Sequence, residues 1–165
     1  MGSSAELLEC NCGSMGLGRG CCGELMDTKH NLSGGCLCGG VRYTLGEPPF
    51  GLVDCHCVDC RRSSGAPYVT WGMVKRENFQ LVCGTLRRVE HAGRIRSFAA
   101  CCGTQILFED APDWPRVDVA IATLDDPRPF RPGRAIWTED KLPWVMLDPE
   151  IPAALTIPDS AGSQK

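Results

Sequence analysis

Three cysteines and a histidine fall within six residues of this 165-residue chain: Cys55-His56-Cys57-Val58-Asp59-Cys60, followed at once by Arg61 and Arg62. If Cys55 and Cys57 are extended, their side chains share one face, because strand side chains alternate with period two. A turn after Cys57 then brings Cys60 back to them. Three thiolates on one side of a zinc ion leave its fourth tetrahedral position open, the feature that separates a catalytic zinc site from a structural one. A disulfide or three buried thiols are the plain alternatives, and the spacing favours metal. His56 lies between two ligand candidates and should face away from them in a strand, which suits hydrogen bonding better than ligation. The guanidinium groups of Arg61 and Arg62 could offset an anionic site or grip a carboxylate; a pair of surface arginines is the bland alternative.

A second cysteine pair stands in Gly35-Cys36-Leu37-Cys38-Gly39-Gly40, and a third in Ala100-Cys101-Cys102-Gly103. Two thiols as close as Cys36 and Cys38 rarely bond to each other without strain. They read as half of a structural zinc site, with Cys102 as a natural partner. Cys83, beside Gly84, reads as a buried free thiol.

Twelve cysteines would mean disulfides in a small secreted protein. The first residues, MGSSAELLEC, lack the basic and apolar regions of an export signal, so closely spaced cysteines point to metal in a reducing compartment, the cytoplasm. Residues 61 to 96 hold eight Lys or Arg against two acids, Glu77 and Glu90, in a chain of net charge -3. That basic segment suits a small anion beside the metal, or simply alternating solvated strand faces. A nucleic-acid partner is not expected, for want of a long basic tail. No apolar run reaches the length of a membrane span, so no membrane partner is expected either.

The elements that must position these residues are short. The 19 glycines and 12 prolines favour a turn-rich β fold over a helical one. Strands are expected over Val41–Leu45, from Gly51 into the first motif, over Pro67–Val74, Phe79–Cys83, Leu86–His91, Arg94–Ala99, after Gly103, over Asp118–Leu124, Ala135–Thr138 and Trp144–Leu147. Ala92-Gly93 reads as a hairpin turn, and residues 58 to 64 as a short helical turn ending at Gly65. Trp137 and Trp144 are expected in the core. Residues 1–33, with Cys10, Cys12, Cys21 and Cys22 among glycines, read as a poorly ordered extension within which Met26 could serve as a start. Residues 34–158 read as one zinc domain and 159–165 as a frayed tail.

Four motifs in order resemble a known family, the glutathione-dependent formaldehyde-activating enzymes grouped with the centromere protein V domain. They are GGCLCGGVRY, CHCVDCRRSSGAP, the Phe98–Ile106 segment FAACCGTQI, and TLDDP…FRP…IWTEDKLPW. The resemblance implies a twisted β-sandwich of short antiparallel strands, of the type called Mss4-like, with bound zinc. It implies a catalytic zinc on Cys55, Cys57 and Cys60, and a structural zinc with Cys36, Cys38 and Cys102 among its four ligands. It implies glutathione as cosubstrate and addition to formaldehyde or another small electrophile, a carbon-sulfur lyase activity. The family reads F-C-x-x-C-G where this chain has Phe98-Ala99-Ala100-Cys101-Cys102-Gly103. Ala99 cannot ligate, so either Cys101 substitutes through a rearranged turn, an N-terminal cysteine swings in, or the structural zinc is weak or absent. A non-catalytic, zinc-stabilised binding module of the same fold is the alternative to an enzyme. Microtubule or nucleic-acid binding would need a basic extension, and this one is acidic and glycine-rich.

Overall fold

A computed structural model describes residues 7–9 and 32–156. The readings of the N-terminal cysteines and of the last residues lie outside that span. The chain is mostly β, as expected: eleven strands, one short α-helix and three single turns of 3-10 helix among the described residues. Residue contacts divide it into two compact units, each built from two separated segments of sequence.

The first unit takes in residues up to Phe50 and Gly72–Phe130. It holds a three-stranded antiparallel sheet in the order β2 (Leu32–Gly35), β3 (Arg42–Leu45), β6 (Phe79–Cys83). It also holds an antiparallel meander of β7 (Thr85–His91), β8 (Arg94–Ala99), β9 (Gln105–Glu109) and β10 (Arg116–Ala120). A short strand, β1 (Leu7–Glu9), pairs with β7. The expected turn at Ala92-Gly93 forms, with φ positive at both residues (52° and 76°) and His91 opposite Arg94, the geometry that matches strand twist in a two-residue hairpin. Tyr43, Leu45, Val74, Leu86, Ile106 and Val119 are fully buried or nearly so, and each large apolar side chain removed from water contributes about 1.5–3 kcal/mol.

Gly84 links β6 to β7 at φ +84°, and a Cβ there would lie 2.1 Å from the Gly40 carbonyl oxygen. Only glycine lets the chain pass this close to the Cys36–Val41 loop. The strand expected over Asp118–Leu124 stops at Ala120 and continues as a 3-10 turn, Ile121–Thr123. Thr123 Oγ1 donates back to the Ala120 carbonyl at 2.7 Å, a local bond that competes with strand pairing.

The second unit takes in Gly51–Trp71 and the residues from Arg131 on. β4 (Phe50–Cys55) pairs in parallel with β11 (Arg134–Ile136), Ile136 opposite Cys55. Helix α1 (Val58–Ser64) follows β4 and ends where the Gly65 N–H bonds the Arg61 carbonyl. β5 (Val69–Lys75) begins in this unit and ends in the first. The strand expected over Trp144–Leu147 is instead a turn: Lys141 Nζ donates to the carbonyls of Leu142 and Val145, and the Val145 N–H bonds Leu142 O. Trp144 is therefore 71% exposed and not a core residue. Trp137 follows β11 in the left-handed region, φ 56°, and is half-buried.

Candidate metal centres

The first centre lies in the second unit. β4 delivers Cys55 to its last position, where it is buried. The chain leaves the strand there, and the His56 N–H bonds Ile136 O at 3.0 Å. Cys57 caps α1: its Sγ accepts the Cys60 N–H at 3.3 Å. The first turn of the helix then brings Cys60 round, also buried. The three Sγ atoms lie within 4.8 Å of one another, which is the convergence that the C-x-C-x2-C spacing predicts. Trp71, on β5, donates its indole N–H to Cys60 Sγ at 3.4 Å.

The electrostatics favour one thiolate in particular. Cys57 is pulled far below the ordinary thiol range by hydrogen bonds from Cys55 and Cys60, against burial, with further help from the backbone N–H groups of Cys60 and Asp59. Cys55 is pushed up by its bonds to Cys57 and Cys60 and by burial. Three thiols this close therefore share their protons instead of ionising independently.

His56 is not part of the sulfur cluster. Its ring is 2% exposed, tilted against Tyr68 at 5.1 Å between centroids, and its Nδ1 has no partner among the described residues. Burial pushes its imidazole below the usual value, opposed by the nearby Asp54 carboxylate and helped by Lys141 and Arg61. Arg61 uses its Nε to hold the His56 carbonyl at 3.1 Å. Arg62 is exposed on the helix. Of the two arginines named from the sequence, Arg61 thus braces the ligand loop and Arg62 remains open to solvent. Trp71 and Lys141 were not legible as site residues. A buried indole N–H needs an acceptor, but the sequence does not say which.

The second centre lies in the first unit. The Cys36, Cys38, Cys101 and Cys102 Sγ atoms are within 4.8 Å of one another. Cys36 Sγ accepts the Val41 N–H at 3.2 Å, and the Leu37 N–H bonds Thr104 Oγ1 at 3.1 Å. Cys102 Sγ stands 3.2 Å from the same Thr104 hydroxyl, which with backbone N–H donors draws its thiol down to about 6. Cys83 is buried and outside both clusters, as expected of a structural thiol.

Both donor sets fit a thiophilic tetrahedral ion. They are all sulfur, and zinc–sulfur bonds of about 2.3 Å place tetrahedral sulfurs about 3.8 Å apart. None of the eight described cysteines is in a disulfide. The second set offers four sulfurs and the first offers three, with no fourth His, Cys, Asp or Glu ligand among the described residues.

A mostly β chain with two all-thiol clusters able to hold metal defines the class. The profile of the family described as glutathione-dependent formaldehyde-activating enzyme matches residues 31–140, more than half of the sequence, and the chain belongs to that family. Among solved structures, a Rhodobacter sphaeroides protein is similar at a TM-score of 0.48 and 20% identity, over 59% of this chain and 94% of that one. No curated protein matches.

Proposed function

We propose that the protein is a zinc-dependent, glutathione-using enzyme of the carbon-sulfur lyase type, adding the glutathione thiol to a small electrophile such as formaldehyde. The observation that carries this reading is the three-sulfur set of Cys55, Cys57 and Cys60 without a fourth protein ligand among the described residues, in a chain of this family. Zinc held by such a set would leave a position for an exogenous thiol and would favour its thiolate form. The chain's own residues do the rest. Cys57 Sγ is held at the head of α1 by the Cys60 N–H. Trp71 fixes the Cys60 sulfur, and Arg61 fixes the loop that carries His56. Arg62 is open to solvent and is the group we assign to a glutathione carboxylate, which suits a two-pronged contact.

In the reaction, the glutathione sulfur bonds to the carbonyl carbon and the C=O π pair moves onto oxygen. The oxygen takes up one proton, balancing the one lost by the thiol, and the product is S-hydroxymethylglutathione. Formaldehyde and glutathione also combine without a catalyst, so the test is an exchange rate. NMR exchange between free and hydroxymethylated glutathione should accelerate with enzyme, saturably. Cys57→Ala should return that rate to the spontaneous one while far-UV circular dichroism stays unchanged. An exchange rate equal to the uncatalysed one for the wild type would leave a zinc-stabilised binding module as the better reading.

A further inference from the structure

We propose that Cys101 is the fourth ligand of a tetrahedral thiophilic ion held with Cys36, Cys38 and Cys102, so that the β8–β9 hairpin supplies its two sulfurs from adjacent residues. Ala99 offers no donor: its methyl group is 1% exposed, on the strand position opposite Leu86. The sulfur that reaches the Cys36–Cys38 loop is that of Cys101, 3.6 Å from Cys36 Sγ and 3.3 Å from Cys38 Sγ, while Cys36 and Cys38 are themselves 3.6 Å apart. These three distances approach the edge of a zinc–thiolate tetrahedron, about 3.8 Å. Cys102 Sγ, within 4.8 Å of the others, completes the set.

Adjacent residues in a strand point to opposite faces, but these two are not in a strand. The hairpin loop is curled: the Gly103 N–H bonds Ala99 O at 2.8 Å, the Ala99 N–H bonds Thr104 O at 2.8 Å, and the Ala100 N–H bonds Thr85 O at 2.9 Å. Within that curl the sulfurs of 101 and 102 can converge. The facing loop leaves room for them. A Cβ on Gly40 would come within 3.0 Å of Cys101 Sγ and 3.4 Å of Cys38 Sγ. The Val41 N–H directed at Cys36 Sγ holds that sulfur in place.

Core packing does not explain the convergence, because Cys38, Cys101 and Cys102 are exposed. A disulfide is not formed either: Cys38 and Cys101 are free, and 3.3 Å is well beyond a sulfur–sulfur bond of about 2.05 Å. What remains is a ligand set whose occupant is a soft, tetrahedral cation, a chemistry that zinc fits.

The test uses the full chain, purified with zinc under reducing conditions. N-ethylmaleimide labelling of each cysteine is followed by peptide mass spectrometry, before and after chelation. Zinc should slow labelling of Cys101 at least tenfold, in parallel with Cys36, Cys38 and Cys102. In a second measurement Cys101→Ser should lose one zinc per chain relative to wild type, and its remaining affinity at this site should fall by more than the roughly 100-fold that outer-shell changes cost. Labelling of Cys101 at the same rate with and without zinc overturns the proposal. So does full zinc content in Cys101→Ser, or a Cys38–Cys101 disulfide in the zinc-loaded protein. The labelling arm needs no variant to fold, and neither arm reads catalysis, so the outcome is separate from that of the exchange assay.

Discussion

Trp71 is the side chain that ties a sulfur of the three-cysteine centre to the fold around it. Its indole N–H on Cys60 Sγ resembles the outer-shell bonds whose loss typically weakens metal binding 10- to 100-fold. Trp71→Phe should therefore lower zinc affinity at that centre by about tenfold, as read by competition with a chelating dye. Asp118 makes a prediction of a different kind. Burial, with Asp110's charge adding, pushes its carboxyl from 3.8 up to about 7, against the pull of Arg116. Between those two values the native state keeps a proton that the unfolded chain has lost, so stability falls as pH rises through that window. Asp118→Asn should stabilise the protein at pH 8, by something on the order of 1–2 kcal/mol, and flatten the urea-midpoint profile between pH 4 and 7. Legibility at this scale followed locality. The convergence of Cys55, Cys57 and Cys60 rests on the geometry of six consecutive residues, so spacing alone forecast it. Placing Cys101 beside Cys36 and Cys38 needed the shape of a hairpin loop, and Trp71 needed a contact eleven residues away.

Among the elements, the passage from β6 to β7 is the most demanding. Gly84→Ala would put a methyl group 2.1 Å from the Gly40 carbonyl at φ +84°, and relief requires the Cys36–Val41 loop to move. The expected cost is at least about 2 kcal/mol, measured by chemical denaturation, together with weaker zinc retention by the four-cysteine centre. Strand alternation and turn residues made most of the β elements readable, including the Ala92-Gly93 hairpin and the stop of α1 at Gly65. The failures have side-chain causes. Thr123 captured the Ala120 carbonyl and ended β10 early. Lys141 gathered two carbonyls and turned the Trp144 segment away from any sheet. Lone side chains that bond to nearby backbone override apolar patterning, and periodicity does not register them.

For the molecule as a whole, metal and fold should be one equilibrium. The four-cysteine centre joins loops distant in sequence, Cys36 and Cys38 with Cys101 and Cys102; the three-cysteine centre is local, and its loop is bonded to β11 at Ile136. Exhaustive chelation under reducing conditions should lower the melting temperature by well over 10 °C, with re-addition of zinc restoring it, as binding energy in such sites is folding energy. Thermal denaturation followed by circular dichroism, with zinc titrated back, would measure it. No helix among the described residues is long and apolar enough to cross a membrane. The parallel pairing of β4 with β11 also sets a timetable. The strand that ends at Cys55 is finished early in synthesis and its neighbour β5 soon after, yet the strand on its other edge does not exist until Ile136 has emerged. At about 5–20 residues per second, the ribosome leaves the three sulfurs without that second neighbouring strand for several seconds. During that interval they are open to oxidants and to any metal carrier, so the nascent chain, before it has a fold, is where the identity of the bound ion is most exposed to the cell's own supply.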